Sequence, residues 1–317
     1  MVKEFAGTAE KVAACLQLAT LLEVSAYPKP GNVHRTADFP ETRYEHFLAS
    51  AVALASPFKN GAERGISVSS GRIEPSDIGV GRVIKDAVVN VGKWQHGGNT
   101  LLGAIILLSP ISVAAGMTFV EGSFSLARLR EHLKVVVESS TPKDAVNVYD
   151  AILVAKPEGL GSVRRLDVTD PTSRQQILDE KITLLDVFKM SSGYDSVASE
   201  WASNYAITFD LGYRYFSKQL EEGSDINTAT VQTFLKILSE VPDTFIARKV
   251  GSLKAEEVSM RAKEALEKGG LLTPKGRSCI QKLDREIRDP AHKLSPGTTA
   301  DIVTAVLAVT ILNGYRP

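Results

Sequence analysis

Apolar residues recur at three- and four-residue spacing along nearly all of the 317-residue chain, a periodicity that is typical of amphipathic α-helices. No run of alternating apolar and polar residues is long enough to predict a β-strand. The pattern therefore predicts an all-α fold. In the first helical stretch, which Thr8 can cap and which Tyr27-Pro28 ends, the apolar face is formed by Val12, Cys15, Leu16, Ala19, Leu22 and Val24.

Further helices are predicted where a capping residue or a proline precedes an apolar periodic stretch. One begins after Pro40, and Thr141-Pro142 and Asp170-Pro171 introduce two others. The remaining predicted helices cover 77–91, the apolar stretch from residue 100, 145–154, 177–188, 194–220 with a break at Gly212, 227–238, 255–266 and 274–287.

The longest apolar run, 101–120, approaches the length of a membrane-spanning helix. Ser109, Pro110, Ser112 and Gly116 interrupt it. Because proline removes a backbone donor and bends a helix, we expect a buried central helix with a kink at Pro110 and no membrane span.

The length and the 44% hydrophobic content are sufficient for one large helical core or for two subdomains. We predict a single compact domain over 1–317, because no repeat or long linker divides the chain. The stretch 60–81, rich in glycine and serine, is the best candidate for a mobile loop.

Thirty-seven basic residues balance thirty-seven acidic ones, so no overall field favours nucleic acid or an anionic membrane surface. Any anion site must therefore be local. Cys15 and Cys279 lie in apolar helical patterns, which is typical of reduced thiols in a cytoplasmic protein, and zinc is not indicated. The N-terminal stretch has charged residues where a signal peptide needs an apolar core, so we expect a cytoplasmic location.

Two short polar segments border apolar helical stretches. In 27–34, the sequence Pro-Lys-Pro-Gly predicts a rigid turn that holds Lys29 outward. In 295–301, Pro-Gly-Thr-Thr predicts the start of a terminal helix, with Asp301 in its first turn. The unpaired N–H groups of such a helix start can bind phosphate, although a capped, buried helix has the same spacing. The donors would come from Gly297, Thr298 and Thr299.

A third segment, Gly97-Gly98-Asn99-Thr100, separates two apolar helices. Its glycines let a ligand approach the backbone, so Asn99 and Thr100 can donate to phosphate or ribose oxygens. A tight turn between helices is the alternative.

Together these segments resemble the triphosphoribosyl-dephospho-CoA synthase family, over most of the chain. The family has an acidic residue before Pro-Lys-Pro-Gly, an Asp-containing stretch, a Gly-x-Asn-Thr turn and a Gly-Ser/Thr-x-Asp helix start. Leu101-Leu102 replace the His-Lys pair of the synthases, so the chain resembles a divergent, archaeal-type member. The matching residues are Glu23, Lys29, Gly31, Asp38, Asn99, Thr100, Gly297 and Asp301.

The resemblance implies a transferase in which a hydroxyl of dephospho-CoA displaces adenine from the ribose of ATP, leaving a triphosphoribosyl group on the acceptor. Positive charge develops on the ribose, so such a site needs carboxylates near the sugar and cations near the triphosphate. It further implies ATP as substrate, Mg²⁺ as cofactor and coenzyme precursors as small-molecule partners, and it leaves a homodimer open.

The matched residues then receive roles. Lys29 and Gly31 would bind the triphosphate, with Glu23 as a partner of Lys29 or a surface residue. Asp38 and Asp301 are the candidates for magnesium ligands or for the general base, unless they only cap helices.

Three further sites outside that match are weighed. His34, where the family has aspartate, can contact phosphate or transfer a proton, or it is structural. A helix after Pro242, with Asp243 in its first turn, can present Arg248 to a phosphate. Asp284 and Arg288 are interpreted as a solvated i,i+4 pair.

Two other functions stay open. Because the His-Lys pair is replaced, the same fold could transfer or hydrolyse phosphoryl groups in coenzyme biosynthesis. A noncatalytic helical protein that binds nucleotide is the third interpretation.

Overall fold

The computed structural model describes residues 6–161 and 163–317, and every regular element within these ranges is a helix, as predicted. One large hydrophobic core extends from the first helix to the last, and a small separate cluster is formed by Val24, Val33 and Phe39. The α-helices are α1 (Ala6–Ser25), α2 (Tyr44–Ala53), α3 (Ala55–Ser69), α4 (Val80–Trp94), α5 (Leu102–Val120), α6 (Leu126–Glu138), α7 (Pro142–Ala155), α8 (Thr172–Asp179), α9 (Leu184–Ser191), α10 (Ser196–Ala202), α11 (Arg214–Glu221), α12 (Ile226–Glu240), α13 (Thr244–Val250), α14 (Ser252–Glu267), α15 (Pro274–Ile287) and α16 (Gly297–Leu312).

Short 3₁₀ turns lie at Pro75–Asp77 and Gly270–Leu272, and a π-helix at Ile207–Tyr213 leads into α11. The predicted helix 194–220 is therefore three elements, with the π-helix around the expected break at Gly212. A π-helix widens the turn by one residue and commonly occurs at functional sites.

Helix α5 is the centre of the fold, which confirms the predicted buried helix. Every residue from 104 to 118 is buried, and α1, α3, α6 and α16 pack around it. Among the described residues, it is the one helix long and apolar enough to cross a membrane, and 83% of its apolar window is buried inside the protein.

Pro110 lies inside α5 and has no N–H to donate to the carbonyl of Ile106, four residues earlier. The indole Nε1 of Trp201 donates to that carbonyl instead, at 3.2 Å. The Tyr205 hydroxyl donates to the neighbouring carbonyl of Leu107 at 3.0 Å. The proline is thus tolerated because buried aromatic side chains from a distant segment satisfy the backbone.

The prediction of a mobile loop at 60–81 is wrong. Residues 60–69 belong to α3 and 80–81 to α4, so only 70–79 connect helices. A Cβ on Gly65 would lie 2.0 Å from the carbonyl oxygen of Val113, and one on Gly116 would lie 2.2 Å from that of Ala62. The glycines therefore permit close packing of α3 against α5.

Several boundaries also differ from the predictions. Helix α1 begins at Ala6, so Thr8 lies within it, and α2 begins at Tyr44. The predicted helix 177–188 is split between α8 and α9, with Thr183 as the N-cap of the second. By contrast, Thr141 caps α7 as predicted, in a capping box with Asp144.

Candidate active site

The two polar segments 27–34 and 295–301 lie against each other, although they are separated by more than 260 residues. The Ser295 hydroxyl donates to the Gly31 carbonyl at 2.6 Å, and Asn32 Nδ2 donates to the Pro296 carbonyl at 3.4 Å. Gly31 has φ +71°, and a Cβ there would lie 2.8 Å from Ile287 Cδ1. Only glycine fits this turn.

Lys29 and Glu23 form an ion pair inside the protein. Their relative exposures are 1% and 4%, and Lys29 Nζ donates to Glu23 Oε1. The turn therefore directs Lys29 inward, contrary to the prediction that it points outward. Glu23 was interpreted either as a partner of Lys29 or as a surface residue, and the structure shows that it is the partner of Lys29.

Burial changes both members of this pair. The loss of solvation raises the pKa of Glu23 and lowers the pKa of Lys29, while their mutual attraction opposes both effects. Asp301 also attracts the Lys29 ammonium. The pair thus places a buried cation near the Asp301 carboxylate.

Asp301 lies in α16 just after its first turn, not within that turn as predicted, and it contacts the N-terminal turn of α5. Its Oδ1 accepts the N–H of Ala104 at 2.8 Å. A Cβ on Gly103 would lie 2.0 Å from Asp301 Oδ2, so the glycine is what lets the carboxylate approach this helix start. The residue as a whole is of intermediate exposure, although its carboxyl group is largely enclosed.

Several groups act on the acidity of Asp301. Burial raises its pKa well above the ordinary value, and the nearby carboxylates Glu23, Asp243 and Asp195 raise it further against the hydrogen bond from Ala104. A carboxyl group whose pKa is raised by burial and by neighbouring carboxylates is a candidate general acid or base.

Asn99 and Thr100 lie at the same helix start. Asn99 Oδ1 accepts the N–H of Leu102 at 3.1 Å, and Thr100 Oγ1 is 2.8 Å from Ser50 Oγ of α2. Asn99 and Asp301 thus both accept N–H groups from the first turn of α5. The N-terminal turn of α5 joins two of the three predicted motifs.

The predicted oxyanion donors of α16 are largely used within the protein. Asp243 Oδ2 accepts both the N–H and the hydroxyl of Thr299, each at 2.7 Å. Thr298 Oγ1 accepts from Thr244 at 3.3 Å, and the Gly297 N–H donates to the Ser295 carbonyl at 2.8 Å. The structure therefore favours the alternative, a capped helix start.

Asp243 connects two helices, because its Oδ1 accepts the N–H groups of Phe245 and Ile246 and so caps α13. It is the N-cap and not, as predicted, a first-turn residue. Capping residues before short helices are frequent, and the sequence contained no signal for the second contact to α16.

Arg248, near the end of α13, is paired with Asp195, the N-cap residue of α10. Asp195 is also among the carboxylates that raise the pKa of Asp301. Arg248 is thus brought to the edge of the Asp301 cluster, and its predicted phosphate contact stays a prediction.

Asp38 is exposed, and its Oδ1 accepts the N–H of Tyr44 at 2.7 Å at the start of α2. This is the capping role weighed as its alternative. Within the described ranges, no group of three or more His, Cys, Asp or Glu side chains is arranged to hold a metal ion. A magnesium ion there would need ligands from a substrate.

His34 is buried beside two cations. Arg288 Nη2 is 3.3 Å from its Nε2, and Thr36 Oγ1 is 3.2 Å from its Nδ1. Burial, followed by repulsion from Arg288 and Lys29, lowers the pKa of His34 to about 4. The imidazole is therefore neutral near pH 7, and its enclosed position favours the structural interpretation over phosphate binding.

Asp284 and Arg288 are the residues whose role the sequence reasoning missed. Asp284 Oδ1 accepts the Gly31 N–H at 2.8 Å, and Arg288 Nη2 donates to the Asn32 carbonyl at 2.7 Å. The pair is partly buried and holds the Pro-Gly turn on α15, instead of being solvated. Its i,i+4 spacing was the only signal, and solvated pairs share that spacing.

A cavity of about 310 Å³ opens beside Asn99, between the end of α4, the start of α5 and the end of α7. Its floor is apolar, and Asn99, Thr100 and His96 line it near the Gly-Gly turn. Of the three motifs, 97–100 contributes to its lining, whereas 27–34 and 295–301 do not.

Comparisons with known proteins show which proteins this chain is similar to. The model of the family described as CitG, ATP:dephospho-CoA triphosphoribosyl transferase, matches residues 9–317. The 2-(5''-triphosphoribosyl)-3'-dephosphocoenzyme-A synthase of Klebsiella pneumoniae is 23% identical over 317 residues, 96% of this chain and 90% of that protein. A probable enzyme of the same name from Salmonella typhimurium is 27% identical over 172 residues, covering 52% of this chain and 55% of that protein.

A solved structure is also similar. The crystal structure of a proposed triphosphoribosyl-dephospho-CoA synthase from Archaeoglobus fulgidus superimposes with a TM-score of 0.62 at 21% identity. The match covers 85% of this chain and all of that one. At this identity the likeness shows that the two chains share a fold.

Proposed function

The chain belongs to the ATP:dephospho-CoA triphosphoribosyl transferase family. From this membership we propose that Asp301 of α16, which contacts the start of α5, is the general base of the reaction. The family resemblance drawn from the motifs is thereby confirmed, and with it the assignment as a transferase. The observation that carries the role of Asp301 is its position, partly exposed and among other carboxylates, over a helix N-terminus.

The proposed reaction joins the acceptor to the ribose of ATP. A hydroxyl oxygen of dephospho-CoA forms a bond to C1 of the ribose, the bond from C1 to N9 of adenine breaks, and the electron pair of that bond leaves with adenine. Asp301 accepts the proton of the hydroxyl, and adenine departs as the neutral base after it takes up one proton from water; Asp301 then returns its proton to the resulting hydroxide, so no net proton is gained or lost. A raised pKa makes the ionised Asp301 a stronger base for this transfer.

The surroundings of Asp301 suit a sugar that becomes positively charged. Its own carboxylate and that of the buried Glu23 lie near the ribose, which stabilises an oxocarbenium-like transition state. The start of α5 carries the partial positive charge of the helix dipole, and it favours the triphosphate on the outer side. Lys29 contributes through the electrostatic field of its ammonium group and not by direct contact, because it is enclosed with Glu23.

We also propose Mg²⁺ as the cofactor that accompanies the triphosphate. Magnesium in such enzymes is usually held by one or two carboxylates together with substrate phosphates, and it neutralises phosphate charge. The substrate phosphates suit this role best, because Asp301 is assigned as the base and coordination to Mg²⁺ would lower its basicity. Asp38 suits it less, because its Oδ1 caps α2.

A cytoplasmic location is part of the proposal. Both cysteines, Cys15 and Cys279, are free thiols in the structure. Unpaired cysteines are typical of proteins that work in a reducing compartment.

Product analysis tests the reaction. Purified protein is incubated with ATP, Mg²⁺ and dephospho-CoA, and chromatography separates adenine, ADP and phosphate. We expect adenine, in a ratio of one to one with the modified acceptor. Release of ADP or phosphate without adenine would contradict the proposal and support phosphoryl transfer or hydrolysis instead.

Substitution tests the role of Asp301. Asp301→Asn keeps an oxygen for the Ala104 N–H but cannot take a proton, so we expect turnover to fall by roughly 10²- to 10⁴-fold with little change in melting temperature. The matched control is Asp38→Asn, which changes an exposed capping carboxylate. Full turnover in the Asp301 variant, or equal losses in both, would refute the assignment.

A further inference from the structure

The cavity between α4, α5 and α7 has an apolar floor and an open mouth. Its floor is formed by buried side chains of two helices, and the exposed Val154 of α7 closes one side. Exposed apolar walls around a recess are typical of a ligand site. The principal lining side chains are Val88, Val91, Leu102, Ile105 and Val154.

Polar groups of opposite character lie at the two ends of this cavity. At one end is the first turn of α5, where Asn99 uses its Oδ1 for the cap and keeps its Nδ2 for donation elsewhere. At the other end is the last turn of α7, which stops at Lys156 with φ +47°. The final carbonyls of a helix have no partner within the helix, so this end offers acceptors.

We propose that the cavity binds an adenine ring of a substrate, an inference that rests on the proposed function for the identity of the substrates. Adenine is flat and apolar on its faces, which suits the aliphatic walls. Its amino group, a donor, and its ring nitrogen N3, an acceptor, lie at opposite ends of the ring, which matches the acceptors at the end of α7 and the Asn99 Nδ2 donor at the other end of the cavity. The volume of about 310 Å³ is at the low end for ligand pockets and is sufficient for a purine base, with the rest of the substrate outside the mouth.

The position of the cavity connects it to the reaction. Leu102 lines the cavity, and the next two residues, Gly103 and Ala104, hold Asp301. A base in the cavity therefore lies beside the helix turn whose backbone holds Asp301, and its sugar would extend across that turn toward the carboxylate. Both ATP and dephospho-CoA contain adenine, so the same chemistry has two sources, which binding measurements distinguish.

Gly92 allows the cavity to be filled without disturbing the core. It lies in α4, it lines the cavity, and a Cβ there would meet nothing within 4 Å. Gly92→Leu should therefore fold normally while its side chain occupies the space of the base. Gly7→Leu is the matched control, because Gly7 is also helical with nothing within 4 Å of a Cβ and is absent from the cavity lining.

The experiment is isothermal titration of each protein with ATP and with dephospho-CoA separately, with melting temperature as the check of folding. We expect Gly92→Leu to weaken one of the two ligands by about tenfold or more, while Gly7→Leu matches the wild type. Loss confined to ATP identifies the donor base, and loss confined to dephospho-CoA identifies the acceptor base. Either result supports the adenine pocket.

Equal affinities of the Gly92 and Gly7 variants for both ligands would overturn the inference. The proposed function is judged separately, by adenine release from the wild type. Adenine release with unchanged binding in Gly92→Leu would leave the reaction intact and refute the pocket. Weakened ATP binding in Gly92→Leu without adenine release from the wild type would support the pocket and refute the proposed reaction.

Discussion

Replacing Glu200 by glutamine should remove most of one pH-dependent contribution to the stability of this protein. Glu200 is fully buried in α10, and its carboxylate accepts the N–H of Ile207 at 2.7 Å, the N–H of Thr208 at 2.8 Å and the Thr208 hydroxyl. These bonds hold the start of the π-helix. Burial raises the pKa of Glu200 to about 7, against the opposing effect of its hydrogen bonds and of Arg130.

The sign follows from proton linkage. The folded protein binds the Glu200 proton more tightly than the unfolded chain, whose glutamate titrates near the ordinary value of 4.5. The free energy of unfolding therefore decreases as pH rises from about 4.5 to about 7, because the folded state must then bury a charge. The difference of about 2.5 in pKa corresponds to about 3 kcal/mol, at 1.36 kcal/mol for each unit.

The assay is urea unfolding at fixed pH values between 5 and 8, for the wild type, Glu200→Gln and the exposed control Glu221→Gln. Other carboxylates contribute equally to all three proteins, so the comparison isolates Glu200. Between pH 5 and pH 8, the free energy of unfolding of the wild type should decrease by about 2 to 3 kcal/mol more than that of Glu200→Gln. Parallel stability profiles for the wild type and Glu200→Gln would show that Glu200 titrates normally and would refute the reasoning.

Two further substitutions test how the core supports the site. Glu23→Gln leaves the buried Lys29 ammonium without its carboxylate, so the free energy of unfolding measured in urea should fall by about 3 to 5 kcal/mol. The double variant Glu23→Leu with Lys29→Met should recover much of that loss. Trp201→Phe removes the donor to the Ile106 carbonyl and should cost about 1 to 3 kcal/mol, while the same change at the exposed Trp94 should cost less than about 0.5 kcal/mol.

Local sequence signals were sufficient for most of the helices. Helix α15 begins at Pro274 and ends at Ile287 as predicted, because Thr273 caps it and the first-turn proline needs no partner. The central helix was also predictable, since an uncharged run of about twenty residues can be stable only away from water. Short-range physics determines both features.

The same signals failed where a residue serves a distant partner. The glycines at 61 and 65 were read as flexibility, yet they allow two helices to approach closely. Asp284 was read as half of a surface pair, yet it holds the turn at Gly31, 253 residues away. Spacing along a helix does not tell which side chain from elsewhere arrives at its surface.

The sequence by itself therefore determined the helical architecture, the family and the residues that its motifs share, because capping, periodicity and motif order are written in neighbouring positions. Only the tertiary structure decided that Lys29 points inward to Glu23, that Asp243 uses the donors at the start of α16, and that Asp301 lies over α5. Burial and hydrogen bonding between distant segments set those orientations and the associated pKa changes, and neither is encoded in local spacing.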